Sequence, residues 1–242
     1  MIFPDKYKVN KKYPKKLFLD NKEIESKDRT FIKKHIVSVE LVAQISGEDI
    51  PSVDNEDYKY KVIQYLEVEL DDIKYAKDMG SIFQNIFKSP LIVKFYDKKG
   101  YYAYSYALKR ISKVDNNDVV ITDYFTSKKI DSFVDIYSRE LYDKFLAINN
   151  ILNDFNKVCL YYEIYLKAFI IENRELINNF IDLLDNKVYY ELKNMLNLYF
   201  ILVELIQCEK SLMKANNIGE KIDINNKKKI LLGKIKKLGS VS

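Results

Sequence analysis

The sequence predicts an α+β protein: a small, mostly antiparallel sheet domain with one or two packed helices, followed by an all-helical C-terminal hairpin. Three observations predict it. Several stretches between residues 36 and 125 alternate apolar and polar side chains, the period of a half-buried strand. One stretch in their midst, 73–88, instead repeats its apolar residues at three and four, the period of a helix. Beyond residue 131 the strand period disappears and only helical spacing remains. The implied division is a sheet domain over 1–128 with a basic N-terminal segment, a helical hairpin or coiled-coil-like region over 129–216, and a basic tail over 217–242.

The first strand spans 36–45, with Val37, Val39, Leu41, Ala43 and Ile45 on one face and Ser38, Glu40 and Gln44 on the other. A loop carrying Gly47 and Pro51 follows. The second strand, 58–70, places Tyr58, Tyr60, Val62, Leu66, Val68 and Leu70 together, opposite Lys59, Lys61, Glu67 and Glu69. Over 73–88 the stripe is Ile73, Ala76, Met79, Ile82, Phe83, Ile86 and Phe87; Gly80 weakens this helix by propensity, and Pro90 ends it. Residues 91–96 and 101–110 flank Asp97-Lys98-Lys99-Gly100, a loop that closes a hairpin with glycine at the left-handed position. A last strand, 118–125, follows the Asp115-Asn116-Asn117 turn. A helix over 131–148, capped by Asp131, opens the helical half. Two heptad seams then step by 4-3-4-3-4: Ile151, Phe155, Val158, Tyr162, Tyr165 and Phe169, and Val188, Leu192, Met195, Tyr199, Leu202 and Ile206. Asp185-Asn186 is the expected reversal between them, and 226–238 reads as a short basic amphipathic helix.

Composition narrows the function classes. The 242 residues are 48% hydrophobic and 31% charged, which is ample for a packed core and excludes intrinsic disorder. Six glycines, one histidine and two cysteines 49 positions apart remove most metal, thiol and glycine-loop chemistry; neither GxxxxGK[ST], GxGxxG, GxSxG nor CxxC occurs. No metal and no cofactor is therefore expected, and His35 is assigned a structural place at a helix end. The longest apolar windows, 158–171 and 195–208, are interrupted by charge, so the expected setting is cytoplasmic, without a membrane partner. Charge is uneven. Residues 1–35 hold 11 basic and 5 acidic side chains, 210–242 hold 9 and 2, and 36–209 hold 20 and 28. Basic ends on an acidic body predict anionic partners: Lys11, Lys12, Lys15 and Lys16 around Pro14, Lys109 and Arg110 at a strand end, and Lys227, Lys228, Lys229, Lys234, Lys236 and Lys237 on the last helix. Salt-dependent nucleic-acid binding is the functional expectation.

The block VNKKYPKKLF (9–18), the helix end and strand FIKKHIVSVEL (31–41), the carboxylate-bearing IQYLEVEL (63–70), SPLIVKFY (89–96) with YAYSYALKR (102–110), and DYFTS (123–127) before a long helical C-terminus carry a resemblance. Together they resemble the bacterial family catalogued as domain of unknown function 4391, over most of 1–148 and more loosely beyond. Members of that family are often encoded beside restriction-type helicases and DNA methyltransferases, so the resemblance implies a part in prokaryotic DNA restriction or phage defence. It implies no catalytic residues.

A metal-dependent nuclease of the restriction type needs carboxylates on one strand and an acid-x-lysine on the next. Glu67, Glu69, Asp97 and Lys99 are the weak candidates for that role. Composition alone yields about six acid-x-basic matches in such a chain, and the seven acid-x-lysine matches present are no excess. Three readings compete: a non-enzymatic accessory subunit of a restriction or defence complex, binding a protein partner and nucleic acid; a degenerate or active nuclease-like enzyme; and a structural homo-oligomer built through the seams. On the sheet, Tyr102, Tyr104 and Tyr106 share a face that is expected to be buried beneath the 73–88 helix, with aromatic stacking of single strands as the alternative.

Overall fold

The computed structural model describes residues 2–115 and 118–239, so Asn116 and Asn117 of the expected turn lie outside the described residues. The chain forms two compact units, 1–161 and 162–242. The first contains β1 (Lys8–Tyr13), α1 (Lys16–Leu19), α2 (Ser26–His35), β2 (Ile36–Ile45), β3 (Val53–Asp54), β4 (Lys59–Tyr60), β5 (Ile63–Leu70), α3 (Ala76–Ile86), β6 (Leu91–Tyr96), β7 (Tyr101–Ile111), β8 (Val119–Thr126), β9 (Ile130–Asp131) and α4 (Ile136–Phe145). The unit boundary falls within α5 (Lys157–Glu172).

Seven strands make one sheet in the order β1-β2-β5-β6-β7-β8, with β9 also paired to β7. Every pairing is antiparallel except β5 with β6. A parallel pair needs a crossover, and α3 supplies it. Leu41, Leu66, Val68, Val93, Phe95 and Ala103 form one apolar face, covered by Phe18, Ile32, Met79 and Phe83 from α1, α2 and α3. Small residues set how closely α3 approaches: a Cβ on Gly80 would stand 2.7 Å from Thr126 Oγ1 and 2.9 Å from Ser105 Oγ. Gly80 does not interrupt the helix; it lets the helix seat.

The sequence-based face assignments need four corrections. Val37 is 46% exposed, because a bulge between Ile36 and Ser38 hands its buried place to Ile36. The strand expected over 58–70 is broken at Lys61 and Val62, so Tyr60 belongs to the separate β3–β4 hairpin, while Ile63 and Tyr65 are buried. Tyr102, Tyr104 and Tyr106 are buried as expected but under a different cover. Tyr142 of α4 stacks on Tyr104 at 4.7 Å, and the Tyr161 hydroxyl donates to Leu91 O at 2.9 Å and accepts from the Ala107 N–H. The fourth correction moves a cap: α4 begins at Ile136 with Asp135 accepting from the Ser138 N–H, whereas Asp131 accepts from Phe133 and Val134 in the preceding loop.

The second unit contains the rest of α5, then α6 (Phe180–Leu184), α7 (Leu192–Lys214) and α8 (Ile218–Gly239). Ile164, Tyr165, Leu166, Ala168, Ile170 and Ile171 are buried all round α5, the pattern of an enclosed helix rather than a two-stranded seam. Glu163 and Lys167 pair at 2.6 Å within it, the ammonium lying 5.0 Å from the Tyr189 ring centre. Rings of Tyr165 and Phe169 meet Tyr199 at 6.0 and 5.9 Å, so part of the expected seam exists. Phe155, by contrast, is 78% exposed. The helical pair at the C-terminus is α7 with α8, turning at 215–217 instead of at Asp185-Asn186, where Asn186 caps a single 3-10 turn. Met195, Leu198, Leu202 and Leu205 of α7 and Leu231 and Ile235 of α8 are buried.

Candidate functional site

The nuclease candidates separate once placed. Glu67 on β5 accepts from Lys94 Nζ at 3.2 Å and from the Tyr65 hydroxyl at 3.0 Å. Glu69 accepts from Ser38 Oγ at 3.2 Å. The expected neighbours Lys59 and Lys61 lie on or beside the small hairpin, where Lys61 pairs with Asp54 at 2.6 Å. Register sets Lys12, Glu40, Glu67 and Lys94 in one row across four strands, so the two glutamates face each other as like charges and a lysine flanks the pair on either side. Asp97 does not join that row. It is buried at the hairpin and accepts from the N–H groups of Ile73 (3.2 Å), Lys99 (2.9 Å) and Tyr101 (3.1 Å). Lys99 reaches Asp72 at 3.4 Å. Among the described residues no group of three or more Asp, Glu, His or Cys is placed to hold a metal ion. His35 ends α2, with Nδ1 3.0 Å from Asp71 and its ring against both Phe31 and Tyr75.

Of the basic candidates, Lys11 and Lys12 stand exposed on the edge strand β1, which a register shift and Asn10 at φ 50° make irregular. Lysines and a bulge on an edge strand hinder sheet-to-sheet pairing, so these ammoniums serve the fold as well as any ligand. Lys15 donates to Lys33 O at 3.4 Å, and Lys16 lies 4.0 Å from Asp20. Lys109 is withdrawn from the surface at 1% exposure. Its Nζ donates to Phe87 O and to Ser89 O (3.0 Å), the carbonyls left without helical partners just past the end of α3. Burial, helped by the nearby Lys88 charge, pushes its ammonium down to about 7. Arg110 is half-buried and donates to Ile111 O at 2.9 Å.

The C-terminal lysines divide. Lys227 pairs with Glu204 at 3.4 Å and Lys228 with Glu209, tying α8 to α7. Lys229, Lys234 and Lys237 are exposed, and Lys236 borders a cavity of about 770 Å³ with Ile177, Leu183 and Leu232. The N- and C-terminal clusters belong to different units.

Two features escaped the sequence reading. Lys157, at the start of α5, is buried and donates to Gly47 O (2.9 Å), Ile50 O (2.5 Å) and Ser52 Oγ (3.1 Å), pinning the loop after β2. The run 133–137 leaves Phe133, Val134, Ile136 and Tyr137 in solvent. Its signal was present: three of these four precede or start a capped helix, where apolar residues have no stripe to join.

Sheet and helical pair together define a class, an α+β protein that ends in a helical pair. The family described as Domain of unknown function (DUF4391) matches residues 1–233, and the chain belongs to it. No curated protein and no solved structure matches the chain.

Proposed function

We propose that this chain is a non-enzymatic accessory subunit of a prokaryotic DNA-restriction or phage-defence complex, docking a helicase or methyltransferase partner. One observation carries the reading: the helical pair leaves Phe200, Met213, Ile218, Ile222 and Ile230 exposed, large apolar side chains of the kind that mark protein contacts. The nuclease alternative loses its acid-x-lysine arm, because the Asp97 carboxylate is held by three backbone N–H groups and Lys99 by Asp72. Co-expression with a restriction-type helicase and with a DNA methyltransferase from the same host, followed by size-exclusion chromatography, tests it. Co-elution that is lost in Phe200→Glu and Ile222→Glu, at unchanged melting temperature, supports the proposal. A wild-type chain that elutes separately from both candidate partners, or magnesium-dependent DNA cleavage abolished by Glu67→Gln, overturns it. A homodimer that those variants dissolve transfers the surface to the self-assembly reading.

A further inference from the structure

We infer that the corner formed by the β6–β7 hairpin and the loop entering α4 is a docking site for single-stranded nucleic acid, with Phe133 as its stacking platform and lysines as its phosphate contacts. The backbone builds the corner. Gly100 closes the hairpin at φ +85°, Ser132 N–H donates to its carbonyl at 3.0 Å, and β9 pairs Asp131 with Tyr101. The Phe133 ring rests against that hairpin so closely that a Cβ on Gly100 would lie 2.3 Å from Cε2. Phe133 is nonetheless 75% exposed, with Tyr137 half in solvent nearby in sequence. An aromatic ring backed by main chain and bare elsewhere presents a fixed apolar plane.

Charge then selects the occupant. Asp97 of the corner is buried and accepts from the Lys99 and Tyr101 N–H groups, while the half-buried Asp131 and Asp135 accept from the N–H groups of Phe133, Val134 and Ser138. Lys98, Lys99, Lys128 and Lys129 are exposed on the segments that meet at the corner, Lys99 also reaching Asp72 at 3.4 Å and Lys129 lying 4.0 Å from the centre of Tyr101. Basic groups beside an exposed aromatic ring complement a polyanion that carries flat faces, and single strands offer both where duplexes hide their bases. The site rests on the proposed DNA-handling role for its setting only, and its test needs no partner.

The test uses the full chain and a labelled oligothymidine of about 20 nucleotides, followed by anisotropy at about 50 and 200 mM salt. Wild type should bind, Phe133→Ala should bind roughly tenfold more weakly, and Phe133→Trp should retain affinity. Lys98→Glu with Lys129→Glu should weaken binding and flatten the salt dependence. Phe133 lies outside the core, so its loss leaves the fold intact. Equal affinity of wild type and Phe133→Ala, equal affinity for a blunt duplex, or no binding at low salt overturns the inference. So does Phe133-dependent sedimentation with phosphatidylserine vesicles in the absence of oligonucleotide binding. Elution of the chain without a helicase or methyltransferase removes the accessory-subunit reading and leaves a Phe133-dependent single-strand site standing.

Discussion

Gly80→Ala separates two opposed forces on one residue. Helix propensity alone makes the substitution favourable by about 1 kcal/mol, since Gly80 lies mid-helix in α3. Packing opposes it. The new methyl would stand 2.7 Å from Thr126 Oγ1, 2.9 Å from Ser105 Oγ and 3.2 Å from Ser105 Cβ, all of them on strands beneath the helix. Distances below 3.0 Å force α3 off the sheet or push both hydroxyls aside, and overpacking of this kind costs about 1–3 kcal/mol. Thr126 Oγ1 is already buried, so it has little room to give way. The net expectation is a loss of about 0–2 kcal/mol, or a melting temperature lower by up to roughly 8 °C for a protein of this size. Circular-dichroism melts and urea titration measure it. Thr126→Ala in the same chain should recover part of the loss by coupling, because it removes the nearest clashing atom. A Gly80→Ala protein more stable than wild type would refute the close approach of α3 to β7 and β8.

Two further expectations concern buried groups. The Lys109 ammonium sits about 7 in the folded chain against an ordinary 10.5, so the unfolded chain holds the extra proton between those values; stability should rise from pH 7 toward 9.5 by a few kcal/mol and plateau below pH 7. Above about 10 the buried Tyr106 hydroxyl, pushed up by burial, reverses the trend, and Lys109→Met should flatten the rise in urea titrations across pH. Leu202→Ala should cost roughly 2–5 kcal/mol, Leu192→Ala less than half of that, and Phe155→Ala within about 0.5 kcal/mol of nothing. Equal losses at all three positions in urea would restore the simple heptad seam.

Legibility in the sequence followed the strength of the burial signal. The bounds of β6 and β7 were readable because LIVKFY and the tyrosine-rich strand flank an aspartate–glycine turn whose chemistry is local. Asp97 was readable as a turn residue for the same reason. By contrast β1 carries almost no apolar alternation, since an edge strand with most of its residues exposed has no core to advertise. The bulge at Ile36–Ser38 shifts a face without leaving a mark on period two. Lys109 read as a surface cation and Lys157 drew no reading, because the carbonyls that hold them come from segments about 20 and 107–110 residues away. In α5 the heptad spacing was real but incomplete: apolar residues around the whole circumference meant enclosure, and the partner of α7 was the more polar α8.

Among the described residues one pairing is parallel, β5 with β6, and it divides the sheet into two antiparallel halves, β1-β2-β5 and β6-β7-β8, joined edge to edge. The later half is a meander of neighbours in sequence and can form from local contacts, whereas the seam closes only after α3 has crossed over it. Pro90 marks the stitch: its carbonyl accepts from the Gln64 N–H at 3.0 Å, just ahead of the first residue of β6. Assembly of the whole sheet thus waits on one helix finding its seat, and that helix finds it through a residue with no side chain.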